Sequence, residues 1–244
     1  MNSSYMIKKA KNYKYFDNYI AKFYTGKEIP DLDDKSCIEY IKSKFKRNLF
    51  DDNVLYIHIK KRIEIFKSLY KSEIKTDKFL DIGCGNTDFS FKFAENLGFN
   101  KKNVYLTDIY PINQENFIIT DGLTLDFPDN SFTMIMCLQS LHHMTHLNSM
   151  LMEINRISKK SCILYIREHD RFNEEQQLFI DIDHMMYETL YENKTYENFM
   201  DSYYINCKTK QEWIDILESF GFKYLNSTPS KGYTNIFSAV FIKN

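Results

Sequence analysis

Phe79-Leu80-Asp81-Ile82-Gly83-Cys84-Gly85-Asn86-Thr87-Asp88 is the stretch on which the fold turns. A run of strand length passes through two glycines into residues 88–97, whose apolar side chains recur at helical spacing. Glycines let a backbone approach a ligand closely, and the first turn of the following helix offers unpaired amides, so a nucleotide-like ligand fits this turn. A G-x-G by itself also serves as an ordinary tight strand-to-helix turn, and its context has to decide. Here the next strand-like run, Val104 to Ile109, carries Asp108, 27 residues beyond Asp81. An acid there can accept hydrogen bonds from both hydroxyls of a ribose and disfavours a 2′-phosphate.

Working outward, Lys78 to Ile82, Val104 to Ile109, Phe117 to Thr120, Phe132 to Leu138 and Cys162 to Ile166 are short apolar runs. Asp88 to Leu97 and Leu147 to Ile157 have helical spacing between them. The alternation predicts βαβ units and a Rossmann-like, mostly parallel seven-stranded sheet with helices on both faces. Only Tyr110 to Asn116 connects the second and third runs, too short for a normal parallel crossover, so the helix usually placed there is expected to be vestigial or absent. Phe222 to Leu225 and Ile236 to Ile242 follow as two further strand-like runs, joined through Pro229 and Gly232, and an antiparallel pair is expected. A helical, acidic and aromatic insertion occupies about 171–207, followed by a helix over Lys208 to Ser219.

Residues 1–76 read as an N-terminal helical extension and 77–244 as the main domain. The extension carries helical stretches from Tyr5 toward Gly26, from Ser36 to Phe45 after the Pro30-Asp31-Leu32-Asp33-Asp34 turn, and from Leu55 to Tyr70. Its aromatic stripe, Tyr13, Tyr15, Phe16, Tyr19, Phe23 and Tyr24, suits core packing and could also lid a site or stack bases. Trp213 is expected to pack under Phe220 and Phe222. The 244 residues, 43% hydrophobic and 27% charged, have an ordinary globular composition, and 7 glycines with 4 prolines are too few for an all-β chain of many short strands. The net charge of −1 divides into +7 over 1–76 and −8 over the rest. Such a gradient can mark a phosphate-facing surface, although 27 of the 32 basic residues are lysine, in a chain rich in Asn, Ile, Tyr and Phe as AT-rich coding would give. No apolar run reaches the roughly 18 residues of a membrane span, and neither a signal-peptide core nor a lipidation motif is visible. Cys37, Cys84, Cys137, Cys162 and Cys207 lie far apart with no C-x-x-C pair. Reduced thiols, a cytoplasmic location and no structural zinc are the expectation.

Beyond the glycine turn, further segments fall in a recognisable order. Ile119-Thr120-Asp121-Gly122 ends the third strand, and Leu125-Asp126-Phe127-Pro128-Asp129-Asn130-Ser131-Phe132-Thr133 leads into the fourth. Leu138-Gln139-Ser140-Leu141-His142-His143-Met144 ends the fourth, and Glu153-Ile154-Asn155-Arg156-Ile157 follows. Over residues 78–170 the chain resembles the class I S-adenosylmethionine-dependent methyltransferases, of the type 11 kind. The resemblance implies S-adenosylmethionine as cofactor, with Gly83 and Gly85 along its methionine portion, Asp81 near its amino group, and Asn86 and Gly122 also among the cofactor-binding residues. It implies Asp108 on the ribose, Ile109 against the adenine, Asp121 at the exocyclic amine, and Gln139 on the sulfonium side. The chain departs from the family pattern at Thr87, where many members have a third glycine, at Thr133, usually aspartate, and at Lys159-Lys160-Ser161, usually proline-glycine-glycine.

Ile166-Arg167-Glu168-His169-Asp170 lies at the carboxyl end of the fifth strand, where ligands of open parallel sheets sit, and Asp181-Ile182-Asp183-His184 follows. His169 or Glu168 could take a proton and Arg167 could hold an anionic group. The same acids and arginine would equally serve as an ion-pair network anchoring the insertion. The arginine-glutamate-histidine-aspartate ending is similar to methyltransferase-like proteins of large cytoplasmic DNA viruses. Gln139 with His143 resembles the glutamine-x-x-x-histidine of cap guanine-N7 methyltransferases, which adds His143 to the catalytic candidates. A metal on His142, His143 and His146, with Asp170 or His184, is disfavoured because no carboxylates or cysteines stand at ligand spacing.

Transfer from a sulfonium needs alignment and water exclusion more than a nucleophile. No Asp/Asn-Pro-Pro-aromatic motif, Pro-Cys nucleophile or lysine-aspartate-lysine-glutamate set is present, which argues against DNA exocyclic amines, cytosine C5 and ribose 2′-hydroxyls as acceptors. The expectation is a methyltransferase acting on RNA, plausibly the cap guanine and favoured by the basic extension, or on a small molecule. The alternative is a non-catalytic subunit of the same fold that scaffolds or activates a protein partner.

Overall fold

The computed structural model describes residues 6–21, 23, 29, 31–44 and 52–244. Tyr5, Tyr24, Gly26, Pro30 and Phe45, which figure in the expectations for the extension, lie outside the described residues. Two compact units are present: Met1–Asp51, Arg171–Tyr204 and Lys231–Asn235 form one, and Asp52–Asp170, Ile205–Ser230 and Ile236–Asn244 form the other.

The second unit holds the sheet. Its strands are β1 (Phe79–Ile82), β2 (Val104–Asp108), β3 (Phe117–Ile119), β4 (Phe132–Leu138), β5 (Ser158–His169), β6 (Phe222–Ser227) and β7 (Ile236–Lys243), in the order β3-β2-β1-β4-β5-β7-β6. The first five run parallel, while β7 runs antiparallel to both β5 and β6, as the last two apolar runs predict. No helix forms between β2 and β3, in line with the short connection. Side-chain alternation sends Leu80 and Ile82 into one core and Phe79 into the other. A parallel strand buried on both faces must be apolar throughout, which explains why the strand runs do not alternate with polar residues.

Helices cover the two faces. On one, α6 (Leu147–Ile157) buries Leu147, Met150, Leu151, Ile154 and Ile157, an i, i+3, i+4, i+7 stripe, alongside α9 (Lys210–Ser219). Thr209 and Glu212 close a capping box at the start of α9, and Trp213 is fully buried in the same core as Phe222, with Phe220 packed against it. On the other face, α5 (Thr87–Asn96) packs with α4 (Asp52–Leu69), whose Ile59, Ile63, Phe66 and Leu69 share a core with Phe79, Phe93 and Tyr165. This differs from the expected boundary at residue 76, because α4 belongs with the sheet. The helical period showed an apolar face on α4 without showing which partner that face meets.

The other unit joins α1 (Met6–Ala10), α2 (Phe16–Ile20) and α3 (Asp34–Lys44) with α7 (Glu174–Leu190) and α8 (Tyr196–Ser202). Phe16, Tyr19, Ile38 and Ile41 share its core with Phe179, Met185, Met186 and Phe199, and Tyr13 and Phe23 pack against it. Most of the aromatic stripe is therefore core packing, whereas Tyr15 is 49% exposed. Buried Asp34 ties α3 to α1 by accepting from the amides of Met6 and Ile7 at 2.7 and 2.8 Å.

Two departures noted in the sequence have structural explanations. Thr133 Oγ1 accepts from Asp77 N at 3.3 Å and donates to Lys78 O at 3.2 Å, so its hydroxyl stitches the start of β4 to the start of β1. Lys159-Lys160-Ser161 falls inside β5 and not before it. Ser161 adopts φ +65°, and the β4–β5 register shifts between Phe132 and Met134, so the expected turn becomes an irregularity in a longer strand. All five cysteines are free and buried. Among the described residues, no helix is long and apolar enough to cross a membrane.

Candidate active site

The carboxyl ends of β1, β2 and β4 bring the first group of candidates together. Gly83 N and Cys84 N donate to Thr107 O at 2.9 and 3.1 Å, folding the glycine turn onto β2. Gly83 has φ +73°, and a Cβ there would meet Ser140 Cβ at 2.5 Å, so only glycine lets the turn after β1 and the turn after β4 approach so closely. Gly85, at φ +48°, has open space where its Cβ would stand and donates its amide to Asp108 Oδ2 at 3.0 Å. Asp108 Oδ1 accepts from Tyr110 N at 3.2 Å, and each oxygen keeps a further lone pair. Asn86 caps α5 by accepting from Phe89 N at 3.1 Å, so its side-chain oxygen already serves the helix.

Asp81 lies beneath this turn, 3% exposed. Ser90 Oγ donates to its Oδ2 at 2.6 Å, while Oδ1 is buried without a partner. Burial pushes its carboxyl up to about 7, with the Ser90 hydrogen bond working the other way and the nearby Asp108 charge adding to the rise. A buried oxygen without a donor is costly unless a ligand supplies one.

Thr120 N donates to Asp108 O at 3.0 Å, which places Asp121 and Gly122 beside the end of β2. Asp121 Oδ1 accepts from Leu123 N and Thr124 N at 2.8 and 2.9 Å, and these bonds hold its carboxyl below the ordinary range. Gly122, at φ +76°, donates to Thr120 Oγ1 at 3.1 Å. A cavity of about 420 Å³ opens here, lined by Ile119, Thr120, Asp121, Thr124 and Asp126, and Ile109 is 57% exposed. An unpartnered buried carboxylate oxygen, an open glycine, an acid with spare lone pairs and an exposed isoleucine are chemically suited to an amino acid joined to a ribose and a base. S-adenosylmethionine has that composition.

The second group surrounds the turn after β4. Gln139 has φ +57°, rare for a residue with a side chain; its amide donates to Arg167 O at 2.7 Å and its side-chain oxygen accepts from Arg167. Gln139 Nε2 stands 3.4 Å from His169 Nε2. Glu168 is fully buried; it accepts from Leu141 N at 2.9 Å and pairs closely with His142 Nδ1. Burial pushes the Glu168 carboxyl up to about 8, against the lowering effect of the Leu141 amide and the charges of His143 and Arg167. Glu168 and His142 therefore form a closed, fully buried pair at the turn after β4. The sequence pointed to His143, which is exposed, as a catalytic candidate and weighed His142, which is fully buried, only as a metal ligand; the pattern of two adjacent histidines does not say which one faces inward. Asp170 accepts from Lys210 N at 2.7 Å and from Ser230 Oγ, which ties the end of β5 to the start of α9 and to the loop before β7. Asp181 and Asp183 act within the helical unit, accepting from Tyr203 and Tyr19 hydroxyls at 2.7 and 3.2 Å.

Arg156 is a residue whose role the sequence did not show. It donates to Glu153, Asp129, Leu125 O and Phe127 O at 2.7–2.9 Å, clamping the loop that leads from Asp121 into β4.

A Rossmann-like sheet with one antiparallel strand inserted next to last, and its polar residues gathered at the carboxyl ends of the parallel strands, defines the class I S-adenosylmethionine-dependent methyltransferase architecture. Residues 74–221 match the family model described as a methyltransferase domain, and the chain belongs to that family. Among curated proteins, it is 30% identical over 110 residues to the ubiquinone/menaquinone biosynthesis C-methyltransferase UbiE of Neisseria meningitidis, covering 40% of this chain and 44% of that protein. The chain thus spans less than half the length of the curated relatives it matches. Among solved structures, the PH0226 protein of Pyrococcus horikoshii superposes with a TM-score of 0.55 at 19% identity, over 81% of this chain and 94% of that one. A chain from the complex between the Haloferax volcanii Trm112 methyltransferase activator and a methyltransferase superposes at 0.53 with 11% identity, over 79% and 94%.

Proposed function

We propose that the chain transfers a methyl group from S-adenosylmethionine to a small-molecule acceptor. The observation that carries the reading is the unpartnered, buried Asp81 Oδ1 beneath a glycine turn whose last amide is bonded to Asp108. When bound, S-adenosylmethionine supplies a methyl group already activated on a sulfonium. What the protein must add is alignment and a dry site.

In this reading Asp81 receives the ligand's ammonium group, Gly83 and Gly85 leave room for its methionine chain, and Asp108 takes the ribose hydroxyls. Ile109 packs on the base, Asp121 and Gly122 border it, and Asn86 contributes by fixing the first turn of α5. Gln139, held in its left-handed conformation by Arg167, faces the reacting carbon. Glu168 acts as a positioning residue, since both its oxygens are committed to the turn after β4. His143, which is exposed, is the histidine placed to reach the acceptor, whereas His169 is fully buried beside Gln139 and His142 and acts through Gln139. The curated relatives are quinone-biosynthesis C-methyltransferases, which favours a small molecule over RNA.

Calorimetry and labelled methyl transfer test this together. Asp108→Ala should weaken S-adenosylmethionine binding more than about tenfold, because a charged acceptor of two hydrogen bonds is lost. An unchanged dissociation constant would place the ribose elsewhere. Label from S-adenosylmethionine should enter a small-molecule pool in preference to capped RNA. A second reading, a non-catalytic subunit supporting a partner enzyme, is favoured by the structural neighbour solved with an activator. Tight cofactor binding with no transfer to either pool would support it.

A further inference from the structure

The helical unit contains a second candidate site, which shares no residue with the candidate active site. A cavity of about 310 Å³ is lined by Tyr15, Asn173, Glu175, Gln176, Phe179, Gly232 and Tyr233, at the lower end of the range for small-ligand pockets. Its floor is Phe179, 2% exposed, and its aromatic walls are Tyr15 and Tyr233, with ring centroids 6.1 Å apart and planes at 48°. Tyr15 leaves half its surface uncovered although its neighbours Phe16 and Tyr19 are buried, so an aromatic face is held out at the rim. Gly232, at φ +85°, has nothing within 4 Å of where a Cβ would stand, which leaves that side of the cavity open.

The polar groups have a defined sense. Asn173 Oδ1 accepts from Gln176 N at 2.9 Å, and Gln176 Oε1 accepts from Phe172 N at 2.9 Å. With both amide oxygens committed to backbone, each side chain has its NH2 left to donate. Glu175, half-buried beside them, is an acceptor when ionised. The cavity therefore offers two neutral donors, one carboxylate and aromatic faces, with no cationic side chain in its lining.

We propose that this cavity binds a guanine-type base. A carboxylate matches the two parallel N–H groups of a guanine edge, whereas adenine, cytosine and uracil each present fewer donors along that edge. The amide NH2 groups of Asn173 and Gln176 suit the carbonyl oxygen and ring nitrogen on the opposite edge, and the tyrosine faces supply stacking that any flat base can use. The assignment stands on the helical unit alone and does not depend on methyl transfer.

Calorimetry on the full chain saturated with S-adenosylmethionine, so that the adenosine site proposed above is filled, with guanosine, inosine and adenosine 5′-monophosphates tests it, because the three share ribose and phosphate and differ only in the base. The guanine nucleotide should bind about fivefold or more tighter than the inosine nucleotide, which lacks the 2-amino donor, and tighter again than the adenine nucleotide. Glu175→Gln should weaken the guanine nucleotide about tenfold and narrow its advantage over inosine, and Tyr15→Ala should weaken all three nucleotides. Both side chains reach the surface, and an unchanged melting temperature would show that each variant is folded. Equal affinity for the three nucleotides, no binding at millimolar concentration, or a guanine-over-inosine advantage undiminished by Glu175→Gln would each overturn the proposal.

Discussion

Asp81 shows how a single residue ties the chemistry to stability. Its carboxyl ionises near 3.8 ordinarily and near 7 here, because burial disfavours the charge. A folded-state value above the ordinary one means that this group contributes stability in full below about 3.8, and the contribution is lost as pH rises through about 7. The loss is bounded at roughly 4 kcal/mol, from about three pH units at 1.36 kcal/mol each. Denaturant melts of the cofactor-free protein should therefore show stability falling between about pH 4 and pH 8, and Asp81→Asn should reduce that fall, leaving the part contributed by Glu168, whose carboxyl burial also raises. A variant as pH-sensitive as the parent would mean that the charge is compensated by another group. The residues of the glycine turn were legible because their backbone demands are written in the residue type. Gly83 cannot carry a Cβ against Ser140, and Asp108 closes the turn by accepting from the Gly85 amide. The side-chain pairings were not legible. Nothing in Leu-His-His says that the first histidine turns inward to Glu168, and nothing in Glu-x-x-Arg says that Arg156 holds two carbonyls of a loop 27–31 residues earlier.

Among elements, α6 is the most fully determined by its sequence. Leu147, Met150, Leu151, Ile154 and Ile157 form one stripe, and the observed bounds coincide with the apolar period. Ile154 is completely buried, so Ile154→Ala should cost about 2–5 kcal/mol in chemical denaturation, the transfer loss plus a cavity. A cost below about 1 kcal/mol would show that the face of the sheet beneath α6 collapses to fill the space. The short β2–β3 connection was equally legible, since seven residues cannot carry a crossover helix. By contrast, the allegiance of α4 was not. A periodic apolar face is the same whether it meets a sheet or other helices, and the partner is fixed only by long-range packing of Phe66 with Tyr165 and Phe93. For the same reason, the first helical stretch resolves into two five-residue helices, α1 and α2, where the period alone suggested a longer one.

At the level of the whole molecule, the two units differ in what stabilises their backbones. The sheet unit's central strands are paired on both sides and buried on both faces, whereas α1 and α2 are too short to hold helix without their packing. Amide hydrogen exchange should accordingly be slowest in β1, β4 and β5 and fastest in α1 and α2. Comparable protection in α1 would mean that its aromatic core contributes as much as the ladder does. The placement of β7 has a separate consequence during synthesis. It lies between β5 and β6, and β6 pairs with β7 alone. As the polypeptide emerges from the ribosome, β1 to β5 can align in turn, but β6 has no neighbour until residues 236–243 are clear of the exit tunnel. The nascent sheet therefore waits with its β5 edge exposed, and a pause in translation before residues 236–243 emerge would lengthen the window in which that edge can pair with another chain.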